Sequence, residues 1–79
     1  MQAYVFLNTE PGVLWKVAEA ALKIEGVKTA HAVTGQFDVI IFAEFVKTDM
    51  LGKLIEKIHA LKGVLRTQTA IVMPLRLPE

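Results

Sequence analysis

Short apolar runs that alternate with period two, and longer runs with helical spacing, take turns along this chain. Residues 3–8 are aromatic and β-branched and run into Asn8, Thr9, Glu10, Pro11 and Gly12, which predicts a strand with a firm stop. Pro11 then suits the first turn of a helix, where its missing N–H is no loss. Leu14, Val17, Ala18, Ala21 and Ile24 carry the apolar stripe of that helix, and Gly26 fits the C′ position that ends it. Residues 27–34 predict a second strand. Gly35 and Gln36 predict a tight turn into a third strand over about 38–46, so that the two form a hairpin. Thr48 or Asp49 is placed to cap a second helix, whose stripe is Leu51, Leu54, Ile55, Ile58 and Leu61, with Gly52 a mild local cost. Gly63 ends it. Residues 64–73 predict a fourth strand, and Pro74 and Pro78 an irregular tail.

The order β-α-β-β-α-β, with a weak echo between the Leu22-Lys23-Ile24-Glu25-Gly26-Val27 and Leu61-Lys62-Gly63-Val64 stretches, points to a split βαβ duplication. The expected fold class is α+β: a ferredoxin-like sandwich with both helices on one face of a four-stranded antiparallel sheet. Val39, Ile41, Ala43 and Phe45 make one apolar face of the third strand, suited to lie under the helices. The other face holds Asp38, Ile40, Phe42, Glu44 and Val46, and Ile40 and Phe42 are too apolar for a sheet face in water. Tyr4 and Phe6 add to it. The expectation is a dimer joined through the helix-free sheet faces.

Composition sharpens this. A chain of 79 residues makes a marginal core, yet 53% of its residues are hydrophobic, so part of that surface is expected to meet another subunit. There is no cysteine, hence no disulfide or thiolate metal site. With 9 Lys+Arg against 8 Asp+Glu, the net charge of +1 leaves no basic stripe for nucleic acid. No apolar run is long enough for a membrane span, and no secretory signal opens the chain, so a cytoplasmic protein is the default.

Two stretches hold candidate chemistry. In the first, Gly35, Gln36, Phe37 and Asp38 form a glycine turn with an acid. One reading is an ordinary hairpin in which Asp38 bonds turn amides. The other is a zwitterion site, with turn N–H groups on an α-carboxylate and Asp38 on an α-ammonium. If that pair were buried, losing Asp38 would cost roughly 2–5 kcal/mol of binding. In the second, Thr67 and Thr69 share a strand face, either as good strand formers or as hydroxyls lining a polar pocket. Arg66 points the other way and could meet Glu44 across strands or subunits. His31 and His59 lack neighbouring carboxylates, so no metal is expected. Trp15 lies beside the first helix's stripe as a partly exposed packing residue or a subunit contact, and Lys53 and Lys57 read as a solvated helix face.

These residues resemble the C-terminal effector domain of the Lrp/AsnC family of feast/famine regulators, the RAM domain. The likeness runs from the Tyr4-Val5-Phe6-Leu7 strand and Pro11-Gly12, through Gly26-Val27 and Val33-Thr34-Gly35-Gln36-Phe37-Asp38, to Gly63-Val64-Leu65-Arg66-Thr67-Gln68-Thr69-Ala70-Ile71-Val72. It implies a dimer, often assembled further into a ring of four dimers. It also implies an amino-acid effector held near the interface between dimers by Gly35, Gln36, Phe37 and Asp38, with Thr67 and Thr69 as further lining. Family members usually begin with a helix-turn-helix, which this sequence does not show. A stand-alone RAM protein is therefore expected, one that binds no DNA directly and senses an effector or co-assembles with full-length regulators. It needs no cofactor and is no enzyme. The competing readings are a small dimeric α+β-barrel enzyme, of monooxygenase or isomerase type with His31 or Asp38 as base, and a purely structural assembly module.

Overall fold

The computed structural model describes residues 1–74. Six elements follow one another: β1 (Gln2–Thr9), α1 (Leu14–Leu22), β2 (Val27–Ala32), β3 (Val39–Glu44), α2 (Thr48–His59) and β4 (Val64–Ile71). The strands form one sheet in the order β2-β3-β1-β4, and every neighbouring pair is antiparallel. This is the β-α-β-β-α-β sandwich expected from the pattern.

Register explains where the core sits. Ala3 faces Ala43, Val5 faces Ile41 and Leu7 faces Val39 across the β1–β3 pair. All six are fully buried, so the two central strands present one matched apolar face. Val17, Ala18 and Ala21 of α1 and Leu54 and Ile58 of α2 close over it. Leu51 joins Ala3 and Phe45 in a smaller cluster at the end where α2 begins. Helix α1 packs over β2 and β3, and α2 packs against β4. Neither helix is long and apolar enough to cross a membrane.

Pairing partners set the strand ends. Strand β3 stops at Glu44 rather than Val46 because its partner begins at Gln2. Strand β4 stops at Ile71 rather than Met73 for the same reason, with a last bond from Val72 N–H to the Gln2 carbonyl at 2.9 Å. Pro74 follows in no strand, and Pro78 lies outside the described residues. The β2–β3 connection is longer than a tight turn: β2 ends at Ala32 and residues 33–38 form the loop.

Helix ends also depart from expectation. Pro11 and Gly12 are the central residues of a turn closed from Val13 N–H to the Glu10 carbonyl at 3.4 Å, and α1 begins only at Leu14. Proline followed by a positive-φ glycine is the type II arrangement, so Pro11's fixed φ serves the turn instead of the helix. At α2 the N-cap is Lys47, and no side chain caps it. Asp49 acts there through its charge in the first turn, which suits the helix dipole. Neither Gly26 nor Gly63 is a C′ residue. Each follows its C-cap, Lys23 or Ala60, by the same spacing and sits at φ +97° in a turn onto the next strand. The sequence echo is thus a repeated helix-to-strand corner.

Gly63 is the more constrained corner. A Cβ there would lie 2.7 Å from Val13 Cγ2, whereas one at Gly12 would meet nothing. Gly63→Ala is expected to cost about 2 kcal/mol, from left-handed strain plus overpacking, and Gly12→Ala about 1 kcal/mol from strain alone. Urea unfolding of both variants checks the order; equal midpoints would remove the Val13 contact from the explanation.

Candidate functional site

The end of the sheet where β1 runs out carries the loop of residues 33–38. Three contacts fix it to β1, and one bond closes it on itself. The Asp38 N–H donates to the Leu7 carbonyl at 2.8 Å, and the Val33 N–H donates to the Asp38 carbonyl at 2.9 Å. Asn8 Nδ2 donates to the Gln36 carbonyl at 2.7 Å. The Phe37 ring lies on the Phe6 ring, with centroids 5.2 Å apart. The Asp38 amide therefore extends the β3 pairing onto β1, while its carbonyl closes the loop on Val33.

Its carboxylate completes the attachment. Asp38 Oδ2 accepts from the Thr9 N–H at 2.8 Å and from Thr9 Oγ1 at 3.4 Å. Thr9 is the one buried polar residue among the described residues, and this bond satisfies an amide at the strand's end. No hydrogen bond among the described residues engages the other oxygen, Oδ1. Because no buried side-chain polar atom there lacks a partner, Oδ1 must reach solvent. One carboxylate oxygen is structural and the other has no partner among the described residues.

The turn itself is open. Gly35 has φ +124° and, with Gln36, is exposed, while Phe37 and Asp38 are half-buried. The N–H groups of Gly35, Gln36 and Phe37 make no backbone hydrogen bond among the described residues. Free donors thus stand within a few residues of a free carboxylate oxygen, the two halves a zwitterion needs.

Thr67 and Thr69 lie elsewhere. They face Leu7 and Val5 on the helix side of the sheet, half-buried. Thr67 Oγ1 is 2.7 Å from His59 Nε2, a bond that ties β4 to the end of α2. Strand β1 stands between β3 and β4, so Asp38 and Thr67 are two strand spacings apart, about 10 Å. Within one chain the four turn residues cluster, and the threonines do not join them. Arg66 pairs with Asn8 and Glu44 with Gln2, six positions apart along β1 and so roughly 20 Å, which rules out their meeting within the chain. His31 lies opposite Ile40 on the helix-free face, exposed.

Sequence reasoning missed Asn8, Thr9 and His59 as partners. Thr9 and Asp38 are 29 positions apart, and no local pattern couples them. A threonine at a strand's last position was the one available hint.

The model of the Lrp/AsnC ligand binding domain matches residues 2–75. The chain belongs to that family. The Lrp/AsnC domain is 36% identical over 73 residues to an uncharacterized HTH-type transcriptional regulator of Pyrococcus furiosus, covering 87% of this chain and 49% of the relative. It is 28% identical over 74 residues to the HTH-type transcriptional regulator LysM of Sulfurisphaera tokodaii, covering 92% and 53%. The chain thus spans about half the length of these curated relatives. A hypothetical protein of Pyrococcus horikoshii has the same fold with TM-score 0.85 and 29% identity, over 94% of this chain and 90% of that one. A transcriptional regulator of Neisseria meningitidis, solved as an L-Met complex, matches with TM-score 0.81 and 20% identity over 92% and 49%.

Proposed function

We propose that this Lrp/AsnC domain binds a small amino-acid effector at the loop of residues 33–38 and converts binding into a change of assembly. The observation that carries this is the divided carboxylate of Asp38: Oδ2 holds Thr9, while Oδ1, and the N–H groups of Gly35, Gln36 and Phe37 in the same loop, have no partner among the described residues. The ammonium of an amino acid pairs with Oδ1 and its carboxylate with the turn amides. The family and the L-Met complex of a structural neighbour support that ligand class.

Assembly enters through the helix-free face. There Tyr4 packs on Phe42, with ring centroids 5.1 Å apart, beside Phe6, Ile40 and Phe37. A second copy covers this apolar patch. Thr67 and Thr69 lie on the helix side of the edge strand β4. They would reach a ligand at the turn from a further copy seated at the sheet's edge, and not from the copy on the helix-free face. The complete site is then a property of the larger oligomer. A ligand that needs the oligomer stabilises it by mass action. The regulatory output is then co-assembly with related regulators. The enzyme reading called for His31 in a cavity between sheet and helices, and His31 faces the other way.

Calorimetry against the twenty amino acids, on wild type and Asp38→Asn, tests the site. Asparagine keeps an oxygen for the Thr9 N–H and removes the charge. Because Asp38 is only half-buried, the expected loss is about 1–2 kcal/mol, less than a fully buried pair would give. Equal affinities would remove Asp38 from the site. No binding by the wild type, with a persistent oligomer, would leave a structural assembly module.

A further inference from the structure

Trp15, the second residue of α1, is 70% exposed. So large an aromatic surface in water is costly unless something covers it. Together with Leu14, Ala32, Val33 and Thr34 it lines an open cleft of about 590 Å³. Thr34 is bonded directly to Gly35, the first residue of the open turn, so the cleft begins about one residue, 3.8 Å, from the turn amides.

We infer that this cleft is the subsite for the effector's side chain, and that Trp15 sets the preference for large apolar amino acids. The inference rests on the reading of the turn as the site for the effector's head group. A ligand anchored by its carboxylate at Gly35 and Gln36 has its side chain within reach of the Leu14–Trp15 wall. That wall carries one indole face, Leu14, Ala32 and Val33, and Thr34 supplies a side-chain hydroxyl. Among the described residues no charged side chain lines it. A lysine, arginine, aspartate or glutamate effector would lose water there and gain no partner. Leucine, isoleucine, methionine or phenylalanine would cover the indole instead, through area burial and, for methionine, a sulfur–aromatic contact. Covering such a side chain is worth about one to two decades of affinity over alanine.

Trp15 also reports on the cleft, since it is the single tryptophan of the chain. Leucine, methionine and phenylalanine are expected to shift its emission to the blue on titration, and lysine and glutamate to leave it unchanged. Calorimetry on Trp15→Ala should show leucine binding weakened at least tenfold and alanine binding within twofold of wild type. This variant removes an exposed side chain, so it keeps its fold. Equal loss for leucine and alanine, or no loss for either, would overturn the subsite while leaving the head-group site standing. A changed oligomer mass in Trp15→Ala without ligand would overturn it in favour of a contact between copies. Asp38→Asn separates the two readings: it should weaken leucine and alanine alike. If it weakens neither, or if wild type binds no amino acid, the head-group site fails and the subsite with it.

Discussion

Ile58→Ala is expected to lower the unfolding free energy of this domain by roughly 2–5 kcal/mol. Ile58 is fully buried on the inner face of α2, in one cluster with Leu7, Val39, Ile41, Val17 and Ala21. Truncation removes its transfer free energy and leaves a cavity. The neighbours that would have to fill it are held in strand register and cannot collapse far. A domain this small is stable by only about 4–12 kcal/mol, so the loss takes a large fraction of the total. Ile55, one turn back and only half-buried, is the control, and its alanine variant should cost less than half as much. Urea denaturation at fixed protein concentration measures both. Closely similar midpoints would mean that α2 is anchored by something other than its Ile58 contact.

The position of Ile58 was readable from spacing, as were Val5, Leu7, Val39 and Ile41, because burial on one face enforces a period that the sequence must carry. The helix-free face was readable from the violation of the same rule, since Ile40 and Phe42 occupy positions that water should fill with polar residues. What the chain hid were features fixed by a partner distant in sequence. Strand β3 reads as continuing to Val46, but a strand lasts only as long as its neighbour, and β1 begins at Gln2. Pro11 is equally at home in a helix's first turn and in a type II turn, because both use the same φ. Asp38 looks like a turn residue because it follows Gly35, yet its amide and its carboxylate both go to β1. The candidate site was legible as residue types, and its division into a structural and a free oxygen was not. Thr67 follows the same rule: its spacing gave its face, and only the end of α2 explains its bond to His59.

Phe42→Lys is expected to convert the dimer we propose into a folded monomer. Phe42 lies at the middle of the helix-free face, opposite Tyr4 on one side and Thr29 on the other. It is half-buried within a single chain, so an isolated copy can turn a lysine's stem along the sheet and its ammonium into water. A dimer related by a two-fold axis cannot do this. The substitution appears twice in an isologous interface, and each ammonium is taken from water without a carboxylate to meet it. The nearest acid on that face is Glu44, further along β3 and exposed at the sheet's end. The uncompensated charges cost several kcal/mol together, which at about 1.4 kcal/mol per decade weakens association by three decades or more. Sedimentation equilibrium at micromolar concentration should give the dimer mass for wild type and the monomer mass for the variant, with far-ultraviolet circular dichroism unchanged. Effector binding should weaken with the dimer, because the larger oligomer that would complete the site is built from such dimers. A variant that stays dimeric would move the interface to another surface, and the apolar helix-free face would then require a different partner.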